Sequence, residues 1–224
     1  MKLFEIFIVH NATLVERKCY LDKAFGSTEA LNFIQIEQQQ PDFASKNYAG
    51  LRVESWNNKV KVLWQPPPEA RSLSIGEIAC TASHFYAYKV FLEALDVEWL
   101  VVLEDDAIFD PGLPERLNEC FADCPSEIEG IFVGGGFHHE AVSLTIGQYK
   151  NLLIKHHPAT NTTVGYALRR KLVTRILKGF DKFDLPIDYE LAYLLMVNNA
   201  LVAHIQPYLI NEGSKFIYSS SLGR

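Results

Sequence analysis

Trp99-Leu100-Val101-Val102-Leu103-Glu104-Asp105-Asp106 is the stretch from which the fold is read. Five consecutive apolar residues without alternation suit a strand covered on both faces, as in a mostly parallel sheet. The strand then delivers three acids to its carboxyl end. Adjacent carboxylates cannot all ionise cheaply unless positive charge sits among them. A hard divalent cation is the natural partner, because Mg²⁺ and Mn²⁺ take carboxylate oxygens and share their shell with substrate phosphates. The triplet therefore points to a metal-phosphate site, with an acidic loop in which Asp105 or Asp106 caps the next turn as the alternative.

Upstream, Ser74 to Leu95 carries Ile75, Ile78, Ala79, Ala82, Phe85, Tyr86 and Val90 at helical spacing. Ser74 with Glu77 three residues later fits a capping box. Leu3 to Val9, Thr13 to Phe25 and Leu31 to Ile36 read as strand, helix, strand. Glu37 to Arg71 reads as loop and edge structure, with Pro66-Pro67-Pro68 as a rigid spacer or, as the alternative, a partner-binding polyproline turn. Downstream, the pattern predicts a helix at Leu113 to Phe121, a strand at Gly130 to Val133 and a glycine turn at Gly134 to Gly136. That turn either lets the backbone approach a ligand or is only flexible. A strand at Thr163 to Leu168, a basic helix at Arg169 to Leu177, a helix from Leu185 through Val197 and a strand at Ala200 to Ile205 follow. The repeated alternation is that of an open α/β sheet, whose ligands sit at the carboxyl ends of its strands.

The chain has 224 residues, 21 Lys+Arg against 27 Asp+Glu and a formal charge of −6. The length fits one large α/β domain. An acidic balance without a basic stripe argues against nucleic acid as a partner. No apolar run reaches the roughly 18 residues needed to span a bilayer. The first strand lacks the marks of a signal peptide, so the expected location is cytoplasmic, with the four cysteines reduced. The pairs His138-His139 and His156-His157 make a poor zinc site, since adjacent side chains diverge and the cysteines lack ligand spacing. Neither G-x-x-x-x-G-K-[ST] nor G-x-S-x-G occurs. Taken alone, Glu77 is explained by the capping box, and Ser83 and His84 by packing.

Together, Leu73-Ser74-Ile75-Gly76-Glu77-Ile78-Ala79-Cys80-Thr81-Ala82-Ser83-His84 and, about twenty residues on, Val101-Val102-Leu103-Glu104-Asp105-Asp106 resemble glycosyltransferase family 25. The family's pattern is close to L-S-x-G-E-x-x-C-x-x-S-H followed by I-L-E-D-D. Gly165-Tyr166-Ala167-Leu168-Arg169-Arg170-Lys171, Pro186-Ile187-Asp188 and Gln206-Pro207-Tyr208-Leu209-Ile210 continue the resemblance. In place of the family's I-N-L-x-x-R-x-x-R opening this chain reads Val9-His10-Asn11-Ala12, with Arg17 as the basic counterpart.

The resemblance implies a GT-A type fold, a Rossmann-like open mixed sheet flanked by helices, as a single domain over residues 1–224. It implies a metal-dependent, inverting transfer of galactose or glucose from a UDP-sugar to a glycan or lipid-linked glycan acceptor such as lipopolysaccharide. A peripheral position at a membrane surface would suit such an acceptor. Asp106 and Glu104 are the expected ligands of Mn²⁺ or Mg²⁺. Glu104, Asp105, Asn11, Glu77, Ser83 and His84 are expected around the donor. Asp188 is the expected base, with Glu190 in reserve; Asp188 could instead be a metal ligand or a helix cap. The competing functions are a non-catalytic relative that binds nucleotide-sugar or glycan, and a metal-dependent phosphohydrolase or nucleotidyltransferase using the same acids. Acceptor choice is expected to lie in Glu37 to Pro68 and His138 to His157.

Overall fold

The computed structural model describes residues 3–25, 32–35, 41–63, 68–94, 96–135, 144–156, 162–215 and 217–218. Its centre is an eight-stranded mixed sheet in the order β2-β1-β3-β9-β5-β10-β8-β7. These strands are β1 (Phe4–His10), β2 (Asn32–Gln35), β3 (Trp99–Glu104), β5 (Ile128–Phe132), β7 (Thr145–Tyr149), β8 (Leu152–Lys155), β9 (Gly165–Arg169) and β10 (Leu201–Ile205). β1 runs parallel to β2 and β3, and β5 to β10. β9 lies antiparallel between β3 and β5, and β8 antiparallel between β10 and β7. This is the expected open mixed sheet flanked by helices.

β3 explains its own unbroken apolar sequence. Successive strand residues point to opposite faces, so Leu100 and Val102 join one core while Trp99, Val101 and Leu103 join the other. The first core is closed by α4 (Ile75–Ala94), α6 (Arg170–Gly179) and α7 (Ile187–Val197), with Phe85, Tyr88, Phe91, Ile176 and Leu195 all inside. The second is closed by α1 (Val15–Phe25) and α5 (Leu113–Ala122) through Leu21, Leu117 and Phe121. Trp99 stacks on Phe121 with centroids 4.8 Å apart.

The capping box is present in both directions: the Glu77 N–H donates to Ser74 Oγ at 3.2 Å, and the Ser74 N–H to Glu77 Oε2 at 2.9 Å. Two expectations need correction. The segment read as loop and edge contains α2 (Pro41–Asn47) and α3 (Val53–Val60). α3 buries Trp56 and Val60, an i,i+4 pair, against the α4 side of the sheet. The Gln, Asn and Pro residues around these short helices mask that signal. Pro66 and Pro67 lie outside the described residues, while the Pro68 carbonyl accepts Trp56 Nε1–H at 3.1 Å. Second, Gly134 and Gly135 form a strand, β6, rather than a turn. A Cβ on Gly134 would lie 2.6 Å from Val164 Cγ1, so its glycine serves close backbone packing.

β6 belongs to a small sheet, β4-β11-β6, with β4 (Ala107–Phe109) and β11 (Ile210–Glu212). It sits directly after the acidic triplet and was not foreseen.

α3 is tied to the start of α7 by Lys59, whose Nζ meets Asp184 Oδ1 at 2.7 Å and Glu190 Oε1 at 2.6 Å. Both carboxylates are buried. Lys59→Met therefore strands the buried Glu190 and leaves Asp184 only the Arg52 contact at 3.6 Å, and is expected to cost about 3–5 kcal/mol, against about 1 kcal/mol for Ser74→Ala at the cap. Urea unfolding of the two variants checks the ranking.

Candidate active site

The period of two that splits the core also separates the acids. Glu104 continues the face of Leu100 and Val102, toward α4. Asp105 falls on the opposite side, toward α1. There it accepts from His10 Nδ1 at 3.0 Å, the Asn11 N–H at 2.9 Å and an Arg17 guanidinium N–H at 2.6 Å. Register explains the meeting: Val9 pairs with Glu104, so the next residue of β1 comes level with Asp105. Burial alone would push the Asp105 carboxyl up, but the three hydrogen bonds and the Arg17 charge outweigh it and hold it below its usual range.

Asp106 has the opposite surroundings. It is buried, and its Oδ2 accepts the Ser214 N–H at 3.2 Å. Its Oδ1 is buried and has no hydrogen-bond partner among the described residues. The small sheet makes this neighbourhood: the Gly213 N–H donates to the Asp106 carbonyl at 2.7 Å, where a Cβ on Gly213 would stand 2.5 Å from the same oxygen. Burial, with the nearby Glu104 charge, raises the Asp106 carboxyl to about 6.

Glu104 is one-quarter exposed, and its Oε1 accepts from Thr163 Oγ1 and lies 3.7 Å from His84 Nε2. Cys80, one turn before His84, completes a group whose ligand atoms lie within 4.8 Å of one another. Burial pushes the Cys80 thiol well above its ordinary range, and the charges of Glu104, Asp105, Asp188 and Asp106 add to the shift. Cys80 is thus within electrostatic reach of both the acidic triplet and the first turn of α7.

The other candidate residues divide. Asp188 is half-buried, and its Oδ1 accepts the Tyr189 N–H at 3.1 Å. Glu190 is buried and bound by Lys59 through both oxygens, with the Leu185 N–H at 3.2 Å as a further donor. Its position is that of an anchor for the Leu185-Pro186-Ile187 turn. Glu77 joins the capping box and a two-pronged Arg71 pair at 2.6 and 2.8 Å. Ser83 Oγ donates to the Ala79 carbonyl at 2.8 Å, inside its own helix. Asn11 Oδ1 accepts from the Thr13 N–H and hydroxyl, turning the chain into α1. His138, His139 and His157 lie outside the described residues.

Sequence reasoning missed Thr163, Tyr166 and the Gly213-Ser214 turn as neighbours of the acids. Strand parity offered a signal for Tyr166, which pairs with Val102 and so shares the face of Glu104.

A carboxyl raised on folding binds its proton more tightly in the native state, so its contribution favours folding at low pH and is lost as pH rises from about 3.8 to about 6. Without divalent ion, Asp106→Asn is expected to exceed the parent in stability by up to about 3 kcal/mol at pH 7. The difference should close below about pH 4, as read by denaturant unfolding across pH.

The sequence model of glycosyltransferase family 25 (LPS biosynthesis protein) matches residues 4–191. Mouse (Mus musculus) procollagen galactosyltransferase 2 is 26% identical over 163 residues, covering 70% of this chain and 25% of the relative. The chain thus spans about a quarter of that relative's length. Among solved structures, the inositol-1-phosphate CTP transferase from T. maritima overlaps 95% of this chain and 89% of its own, at 11% identity and a TM-score of 0.46. A glycosyltransferase involved in the glycosylation of the major capsid of PBCV-1 overlaps 86% of this chain and 66% of its own, at 9% identity and a TM-score of 0.33. Likeness at that level says nothing about chemistry. The family match takes in β1, α4, the acidic triplet and Asp188 in one span, and the chain belongs to glycosyltransferase family 25.

Proposed function

We propose that the chain is a metal-dependent inverting glycosyltransferase that moves galactose or glucose from a UDP-sugar to a glycan acceptor. What supports the metal is the bare, buried Oδ1 of Asp106 beside Glu104. An oxygen left without a donor, in a carboxyl whose ionisation is costly, suits a hard cation. Mn²⁺ or Mg²⁺ held by Asp106 and Glu104 would offset the charge that builds on UDP as it departs.

The chain's own residues have separate tasks in this reading. Asp105 is saturated by His10, Asn11 and Arg17, so it holds the junction of β1 and α1 rather than a ligand. Asn11 is thereby fixed at the rim where a nucleotide would lie. Asp188 accepts the proton of the acceptor hydroxyl as that oxygen bonds to the anomeric carbon and the bond to the β-phosphate breaks. Glu190, Lys59 and Asp184 hold the turn that presents Asp188. Arg71, tied to Glu77, lies within electrostatic reach of Asp188. Ser83 supports the helix that carries His84.

A lipopolysaccharide acceptor agrees with the description of the family, and a collagen-like acceptor with the name of the mouse relative. A cytoplasmic enzyme working at a membrane surface would reach a lipid-linked glycan. Among the described residues no helix is long and apolar enough to cross a membrane.

UDP release from UDP-galactose, UDP-glucose and UDP-N-acetylglucosamine, with Mn²⁺ and with chelator, tests the reading. One donor is expected to be turned over only with metal, giving an inverted product. Asp106→Ala should abolish turnover. Asp188→Asn should lower kcat by about 10²–10⁴ and leave donor affinity within a few-fold. Absence of any UDP-sugar binding by calorimetry with Mn²⁺ would sink the proposal. Tight UDP binding without turnover across acceptors points instead to a binding protein, and phosphate release from simple phosphoesters to a hydrolase.

A further inference from the structure

His84 is fully buried, and its Nε2 has no hydrogen-bond partner among the described residues. Its other ring nitrogen is engaged. Nδ1 lies 2.7 Å from the Tyr166 hydroxyl, which lies 2.6 Å from the Tyr88 hydroxyl. Burial pushes both phenols up, so each keeps its hydrogen.

One arrangement of these protons satisfies both hydroxyls and Nδ1, leaving only Nε2 open. The Tyr88 hydroxyl has a single described partner, Tyr166, and must donate to it. Tyr166 then donates to His84 Nδ1, which must offer its lone pair. The imidazole proton is therefore on Nε2. The reverse order would leave the buried Tyr88 O–H without an acceptor, which is unfavourable.

Nε2 lies 3.7 Å from Glu104 Oε1, too far for a direct hydrogen bond and close enough for one small atom to touch both. Such an atom must accept from His84 and donate to Glu104. A hydroxyl does both, as does a water that such a hydroxyl would displace; a carbonyl or phosphate oxygen cannot donate, and an ammonium cannot accept. The same tautomer argues against a metal at Cys80, His84 and Glu104. Coordination there would require the Nε2 lone pair and a thiolate in a site that burial makes hostile to charge.

We infer that the Tyr88-Tyr166-His84 chain fixes His84 as a donor and that His84 and Glu104 together form a subsite for one sugar hydroxyl. The inference rests on the nucleotide-sugar reading above. The hydroxyl belongs either to the ribose of the nucleotide or to the transferred hexose, which share this chemistry.

Two measurements test it. Long-range ¹H–¹⁵N correlation on the ligand-free protein is expected to show His84 Nδ1 as an acceptor without a proton; a proton on Nδ1 would overturn the chain. Cobalt titration is expected to give no thiolate charge-transfer band, and a band abolished by Cys80→Ser would overturn it too. Calorimetry with Mn²⁺ and UDP-hexose, 2′-deoxy and 3′-deoxy nucleotide analogues, and deoxyhexose analogues then locates the hydroxyl. Removing the right one should weaken binding about tenfold in the parent and change nothing in His84→Phe or Tyr166→Phe. Loss with a deoxyribose analogue assigns the ribose, and loss with a deoxyhexose analogue the hexose. Binding of UDP-hexose with no such coupled loss would overturn the subsite alone. No binding of any nucleotide-sugar would overturn the subsite and the functional reading together, leaving the tautomer result to judge the chain.

Discussion

The carboxylate of Asp105, gripped by three donors from the junction of β1 and α1, is the interaction on which the carboxyl edge of the sheet depends. A buried strand ending in three acids concentrates negative charge where water is scarce. Arg17 offsets one of the three inside the protein. That leaves Glu104 and Asp106 with environments of their own, one turned toward α4 and the other toward the small sheet. The same grip locks β1 against β3 at their carboxyl ends, where Val9 and Glu104 are in register.

From that point the site is built by strand parity. Glu104 must face α4 because Leu100 and Val102 do, and α4 answers with Cys80 and His84. Tyr166 arrives from β9 on the same face, because it is paired with Val102. The small sheet closes the remaining side, where Gly213 allows backbone to meet the Asp106 carbonyl without a Cβ between them. Asp106 Oδ1 and His84 Nε2 are left without hydrogen-bond partners among the described residues, while the other polar atom of each side chain is engaged.

Much of this was legible in the sequence because it depends on local patterns. The apolar run of β3, the helical spacing of α4 and the Ser74-Glu77 box each carry their own signal, and each appears within a residue or two of where the pattern puts it. α3 escaped because its signal is one Trp56-Val60 pair amid asparagines, and its stability comes from Lys59 reaching Asp184 and Glu190 more than a hundred positions away. The same long-range pairing engages both oxygens of Glu190, the reserve base of the sequence reading. The β7-β8 hairpin falls where no periodicity stood out, with Lys150 in the left-handed region at φ 50° marking its turn. The partner that His84 and Tyr88 share, Tyr166, comes from a strand some eighty positions away, and how sheet and helix pack is not encoded by spacing along one chain.

The most direct measurement of the central idea, that Asp106 and Glu104 hold a cation beneath a nucleotide while Asp105 does not, is an electron paramagnetic resonance titration of free Mn²⁺ with protein and UDP. The account predicts that the free-ion signal falls with the parent protein and persists with Asp106→Asn. Equal Mn²⁺ uptake by the two proteins would contradict it.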